Sequence, residues 1–217
     1  MIITIDGPSG TGKSTVARRV AARLGLLYVD TGAMFRAIAY GCLSHHIDAQ
    51  NEAQLQQFLI DFPISMQELH GTTHVFLGDT DVTPHLRNLD VTAHSSKIST
   101  IAAVRTTLAT LQRTFGERGK AVFEGRDMGT VIFPHADLKI FLTAEPRVRA
   151  RRRHQELLAK DASVQINEEK ILADINERDE RDSNRAIAPL VPAQDAHIID
   201  TSSLSIDQVV EKIVNMI

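Results

Sequence analysis

Cysteine is nearly missing from this 217-residue chain: Cys42 stands alone, so no disulfide can form within it. Its place in an apolar run of helical spacing points to a buried small hydrophobe rather than a reactive thiol. No stretch approaches the ~20 consecutive apolar residues that a membrane helix needs, which excludes a bilayer-spanning helix. A surplus of one sign of charge is lacking too. The formal net charge is −3, with no basic excess of the kind that grips a nucleic-acid backbone. Internal repeats, low-complexity tracts and flexible linkers are absent. The nine histidines show no metal-ligand spacing, and His45 and His46, being adjacent, would point apart on a helix. Strand-forming residues begin at Met1 and leave no room for a leader, so together with the lone cysteine they lead us to expect a cytoplasmic protein. What remains is the composition of an ordinary globule, 43% hydrophobic and 24% charged. Its length suits one sizeable core, so a single domain over 1–217 is expected, with a small insertion.

The positive signal begins with Gly7-Pro8-Ser9-Gly10-Thr11-Gly12-Lys13-Ser14, which fits G-x-x-x-x-G-K-S/T at every fixed position and follows a β-branched run from Met1 to Asp6. Glycines there allow backbone angles closed to other residues, so consecutive N–H groups can turn inward onto a polyphosphate. The helix that starts near Lys13 aims the positive end of its dipole at the same place. Gly7 to Thr15 are therefore expected to bind a nucleotide's phosphates, those of ATP once the family resemblance below is taken in. Lys13 reaches the outer phosphates, and the Ser14 hydroxyl is placed to ligate Mg2+.

Further along, apolar spacing predicts a helix over Lys13–Leu24 stopped by Gly25, a strand over Leu26–Val29, and a helix from Thr31 to about Ser44 with Thr31 as its N-cap. The alternation of strand and helix indicates an α/β fold with a parallel sheet. Asn51–Asp61 reads as a helix. Phe62–Met66, Thr73–Leu77 and Asp81–Thr83 read as short strands of an antiparallel insertion, the first two separated by His70-Gly71. Val91–Phe115 is helical in two pieces, and Lys120–Phe123 and Leu138–Leu142 are buried strands. Helices follow at Pro146–Ala159 and Asn167–Arg181, then a strand at His197–Asp200 and a helix from Ser205 to Met216. In open parallel sheets ligands gather at the carboxyl ends of strands, so Glu124 to Asp127 and Thr143 are aimed at the same crevice as the glycine loop. The 17 arginines outnumber the 7 lysines, and five arginines fall between Arg147 and Arg153. Such a run suits forked recognition of phosphates, or simply a solvated helix face.

Four segments then bring a family into view: Ile3 to Thr15, Asp30 to Arg36, EGRDMGTVIFP over Glu124 to Pro134, and ERDERDSNRAIAPLVP over Glu177 to Pro192. Together they resemble bacterial cytidylate kinases, the P-loop nucleoside monophosphate kinases that phosphorylate CMP and dCMP. The resemblance implies a P-loop NTPase-type five-stranded parallel sheet flanked by helices. It also implies a small antiparallel monophosphate-binding insertion at about 62–85 and a helical lid at about 145–165. ATP and CMP or dCMP would be the partners of a monomer, with Mg2+ accompanying ATP and neither nucleic acid nor membrane involved.

Residue roles follow from the same resemblance. Lys13, Arg126, Arg185 and Arg152 would be catalytic, acting by charge neutralisation and positioning without a covalent intermediate. Arg36, Arg126 and Arg185 would clamp the acceptor phosphate. Asp127 would accept from the exocyclic amine of cytosine and repel the oxygen that uracil presents there. Ser96 and Arg105 would read the base beside it, although Ser96 could equally be helix surface or a cap. Arg178 and Asp182 would contact the ribose, or form only an i,i+4 pair. Thr31 would touch the acceptor phosphate, or only cap its helix. Arg149, Arg152 and Arg153 would close over the polyphosphate with the lid. Glu124 would either hold Mg2+ through water or serve structurally. Departures from the family pattern are Phe35 in place of a tyrosine, Ser14 where some relatives have glycine, and His85 where an acidic residue is common. Competing readings are a kinase for AMP, UMP or shikimate, and a nucleotide-driven switch. A guanine-reading N-K-x-D element, which a GTPase switch needs, is absent.

Overall fold

The computed structural model describes residues 1–69, 72–117, 119–160 and 167–217. Its strands and helices run in chain order as β1 (Ile2–Asp6), α1 (Lys13–Leu24), β2 (Leu27–Asp30), α2 (Thr31–Ser44), α3 (Glu52–Asp61), β3 (Ile64–Leu69), β4 (Thr72–Leu77), β5 (Thr80–Asp81), α4 (Leu89–Ile98), α5 (Ala102–Glu117), β6 (Ala121–Gly125), β7 (Leu138–Thr143), α6 (Pro146–Lys160), α7 (Glu168–Asn184), β8 (His197–Asp200) and α8 (Ile206–Val214). Five strands form a parallel sheet in the order β2-β6-β1-β7-β8, and β3-β4-β5 form an antiparallel one. The P-loop-type parallel sheet and the small antiparallel sheet are thus both present.

The chain divides into two compact units, Met1–Tyr28 with Lys120–Ile217, and Val29–Gly119. In the first, β1 lies between β6 and β7, and Asp6 is level with Gly125 on one side and Phe141 on the other. Because these strands run parallel, the glycine loop after β1 and the Arg126–Asp127 segment after β6 leave the sheet at the same edge. Ile3, Ile5, Val122, Ile140 and Leu142 from the strands pack with Val16 and Val20 of α1 and Val209 and Ile213 of α8 in one apolar core. Ala150 and Leu157 of α6 meet Ile171 and Ile175 of α7 in a second, smaller cluster. In the other unit Met34, Ala37 and Ile38 of α2, Leu55 and Phe58 of α3, and Val75 and Leu77 of β4 are buried. Gly41 is needed there, since a Cβ would meet the Phe58 ring at 2.3 Å.

Among the boundaries that differ from the sequence expectation, three do so for identifiable reasons. Thr31 does not cap α2. Asp30 does, its Oδ1 accepting from the Ala33 N–H at 2.9 Å, because a carboxylate one residue earlier reaches the orphan donors and Thr31 is itself buried. Strand β3 starts at Ile64 rather than Phe62, since Phe62 still donates its N–H to Phe58 of α3 and Pro63 follows. The third antiparallel strand ends at Asp81, whose carboxylate accepts from the Thr83 N–H and starts a 3₁₀ turn, Thr83–His85, with Pro84 inside it. The expected strand separator His70-Gly71 and positions 161–165 of the expected lid lie outside the described residues.

One element has no counterpart among the sequence expectations. Met128–Ile132 forms a single π-helical turn, with Ile132 N–H donating to the Asp127 carbonyl and Phe133 N–H to that of Met128. Such i→i+5 turns recur at functional sites.

Candidate active site

The glycine loop is fixed from behind by sterics and by hydrogen bonds. Gly7 has φ +140°, and a Cβ there would lie 2.0 Å from the Leu142 carbonyl oxygen of β7, so no other residue fits. Gly12 precedes α1 in the left-handed region and offers no side-chain cap, leaving the first N–H groups of α1 for a ligand. Thr11 is fully buried. Its hydroxyl donates to the Pro8 carbonyl at 3.1 Å, and its own carbonyl accepts from the Thr201 hydroxyl at 3.1 Å. Lys13 arches back over the loop and donates to the Pro8 carbonyl at 2.5 Å. Ser14 and Thr15 follow in the first turn of α1, partly exposed and exposed.

Positive charge crowds this end of the sheet. Burial and the nearby guanidinium of Arg126 push Lys13 well below the ordinary lysine range; Arg178 adds to this, while Glu124 and Asp6 oppose it. Arg126 donates from Nε to Asp182 Oδ2 at 3.2 Å, and Arg178 of α7 approaches the same oxygen at 3.8 Å. Burial raises the Asp182 pKa, yet Arg126, Arg178 and Arg185 outweigh it and hold the carboxyl below the ordinary value. The i,i+4 pair of Arg178 and Asp182 is therefore real, and it shares its carboxylate with Arg126.

Asp127 and Arg185 are both almost wholly buried and face each other at 3.3 Å. Arg185 also donates from Nε to the Ala188 carbonyl at 2.5 Å. Ala188 reaches that position with φ +50°, a conformation that costs a non-glycine residue about 1 kcal/mol. Asp6, at the end of β1, accepts from Met128 N–H at 3.0 Å and Gly129 N–H at 2.8 Å, and so pins the turn that follows Asp127. Glu124 is buried and accepts from the Tyr28 hydroxyl at 2.6 Å.

The arginines of α6 divide sharply. Arg149 is buried and donates to the Ala144 carbonyl at 3.0 Å and the Ser9 carbonyl at 3.2 Å, with Asp179 at 2.6 Å. Arg152 donates to the carbonyl and hydroxyl of Thr201, at 2.6 and 3.1 Å. Arg153 pairs with Glu156 at 3.1 Å on the helix surface. The second unit holds the remaining expected residues. There Arg36 pairs with the capping Asp30 at 2.8 Å, and Thr31 is buried at the start of α2. Ser96 is buried in α4, and its carbonyl accepts from the Ser99 hydroxyl at 2.9 Å. Arg105, buried in α5, donates to the Ser99 carbonyl at 3.1 Å and lies 5.7 Å above the Phe35 ring. Phe35 thus supplies an aromatic face to Arg105 without a hydroxyl. His85 stacks on Tyr40 with ring centroids 4.7 Å apart.

A family model described as cytidylate kinase matches residues 3–217. The chain belongs to the cytidylate kinase family. A cytidylate kinase of Protochlamydia amoebophila is 48% identical over 215 residues, covering 98% of this chain and 94% of its own. One from Halalkalibacterium halodurans is 44% identical over 217 residues, covering 100% and 97%. Among solved structures, a shikimate kinase from Bacteroides thetaiotaomicron is 13% identical with a TM-score of 0.51, covering 100% of this chain and 97% of that one. At that identity the likeness concerns the fold alone.

Several residues of this cytidylate kinase family site lie outside the roles expected from sequence. Asp6 reads there only as the end of a strand, although a carboxylate directly before a glycine-rich loop is itself a signal. Asp179 lies inside the motif ERDERD without a role of its own, and Thr201 follows the last strand without any motif. No group of three or more histidine, cysteine, aspartate or glutamate side chains able to hold a metal is found among the described residues. No described helix is long and apolar enough to cross a membrane.

Proposed function

We propose that the protein transfers the γ-phosphoryl group of ATP to CMP or dCMP, giving ADP and CDP or dCDP. The observation that carries this is the crowding of Lys13, Arg126 and Arg178 at the glycine loop. Arg126 and Arg178 disfavour the charge on Lys13, which an arriving anion would relieve, and membership of the cytidylate kinase family supplies the anions' identity. In-line transfer between two polyanions needs little covalent help, so positioning and charge neutralisation provide the rate. The loop N–H groups and Lys13 hold the donor. Arg126 and Arg185 act on the transferring group and acceptor phosphate, with Arg152 near the donor side and Arg153 free to swing from Glu156. Arg178 and Asp182 meet the ribose, and Asp127 chooses cytosine. In the second unit Thr31 and Arg36 serve the phosphate, and Ser96 and Arg105 serve the base. The strands at 62–85 act with the acceptor, and α6 belongs to a lid.

Mg2+ fits the donor set. A site with a Ser14 hydroxyl, and with Glu124 and Asp6 as the carboxylates near Lys13, suits an ion held mainly by phosphate oxygens and water. Bound there, the ion would screen the charge of the transferring phosphate. Cys42 is buried and burial pushes its thiol up to about 11, so it is inert, as suits a reducing cytoplasm; we take the protein to act there as a monomer. The test is a coupled turnover assay with Mg2+ and ATP across CMP, dCMP, UMP, AMP and shikimate. CMP and dCMP should turn over far faster than the others. Equal rates for UMP, or ATP hydrolysis indifferent to CMP, would reject the reading.

A further inference from the structure

We propose that Arg149 is a positioning residue for the donor phosphates, acting through the backbone of the glycine loop and held by Asp179. Its guanidinium joins three elements. Nε donates to the Ala144 carbonyl just after β7 at 3.0 Å, Nη1 to the Ser9 carbonyl of the loop at 3.2 Å, and Nη2 meets Asp179 Oδ2 of α7 at 2.6 Å. The side chain is 4% exposed, whereas its neighbours Arg147 and Arg151 are 71% and 68% exposed and pair with Glu169 and Glu168 across the surface. Arg149 is thus the inward member of the run. Each of its three nitrogens meets a protein oxygen, so in this proposal Arg149 acts on the loop backbone rather than closing over the polyphosphate as expected from sequence.

The consequence lies in peptide geometry. In a trans peptide the carbonyl of Ser9 and the N–H of Gly10 point in opposite directions. Drawing the Ser9 oxygen out to Arg149 therefore turns the Gly10 N–H the other way, into the loop where phosphate oxygens bind. Packing reinforces the restraint. Gly10 has φ +79°, and a Cβ there would sit 2.9 Å from Arg149 Cβ and 3.3 Å from the Arg149 carbonyl oxygen, so α6 abuts the loop directly. Asp179 anchors the other end of the guanidinium on α7, the helix that also carries Arg178 and Asp182. The loop's donor pattern is thereby set by α7 through one side chain. A lysine at 149 keeps the charge but, as a single ammonium, cannot span three acceptors so placed.

This inference rests on the donor-site reading, and the experiment separates the two. Binding of ATP and of inorganic tripolyphosphate is measured by calorimetry for wild type, Arg149→Lys and Asp179→Asn, with steady-state kinetics for ATP and CMP. Arg149→Lys should weaken tripolyphosphate and ATP at least about fivefold and raise the KM for ATP while that for CMP changes less than about twofold. Asp179→Asn should shift both ligands in the same direction. A smaller loss, or KM values for ATP and CMP rising together, overturns the proposal as a merely structural effect. If Arg149→Lys fails to fold, Asp179→Asn decides alone, since Asp179 is partly exposed. Wild type that binds no tripolyphosphate would overturn the donor-site reading itself, and this inference with it.

Discussion

Replacing Asp6 by asparagine should change how stability depends on pH. Asp6 is buried beneath the turn that begins at Asp127, accepting from Gly129 and Met128. Burial lifts its pKa from 3.8 to about 6. The two N–H groups pull it down, nearby Asp127 pushes it up, and Lys13 pulls it down. A carboxyl raised in the folded state stabilises most below pH 3.8, where it is protonated whether the chain is folded or not. Between 3.8 and about 6 the unfolded chain releases the proton and the folded one keeps it, so stability falls as pH rises. At about 1.4 kcal/mol per pH unit, that interval is worth about 3 kcal/mol, fully lost once the pH exceeds the folded value. The asparagine would carry no such charge. It would keep one acceptor and set an amide against the other N–H, a cost of about 1–3 kcal/mol that does not vary with pH. Urea unfolding of both proteins from about pH 4 to about pH 7.5 isolates the effect in their difference. Wild type should lose about 3 kcal/mol relative to Asp6→Asn across that range. Parallel curves would refute the burial of a charge at this position.

Other perturbations follow from the same geometry. Gly7→Ala should cost over ~3 kcal/mol because its Cβ would meet a backbone oxygen at 2.0 Å, whereas Gly25→Ala, at φ +65° with open space around it, should cost only about 1 kcal/mol; equal urea midpoints would contradict this. Lys13→Ala should cut turnover at least about a thousandfold without lowering the melting temperature, since a buried and electrostatically opposed ammonium is removed; retained turnover would sink the donor-site assignment. Asp182→Asn removes the carboxylate that Arg126 and Arg178 share and should cost about 3 kcal/mol near pH 7. The depressed Asp182 pKa makes its stabilisation present above the ordinary carboxylate value and lost as pH falls through the folded one, so the variant's deficit should shrink in acid, as unfolding at about pH 3 would reveal.

Most of the scaffold was legible because its signals are local. The glycine loop, Gly25 as the stop of α1, and Ser205 opening α8 with a complete capping box are each written in a few neighbouring residues. The π-turn after Asp127 was not, since Met128 to Ile132 carries only a short apolar run with no i→i+5 signature. Which arginine of Arg147–Arg153 points inward was equally hidden. It depends on Asp179 and Ser9, far away in sequence, and a charge run does not say which member is buried. Thr31 as a cap was overruled by Asp30, a better acceptor one position earlier that a motif reading passes over.

The most direct test of base choice is the ratio of kcat/KM for CMP to that for UMP, measured in wild type and in Asp127→Ala. A carboxylate that accepts from one edge and repels the other is worth about 1–3 kcal/mol of discrimination, so the ratio should fall about five- to hundredfold in the variant. An unchanged ratio would contradict the assignment of cytosine recognition to Asp127.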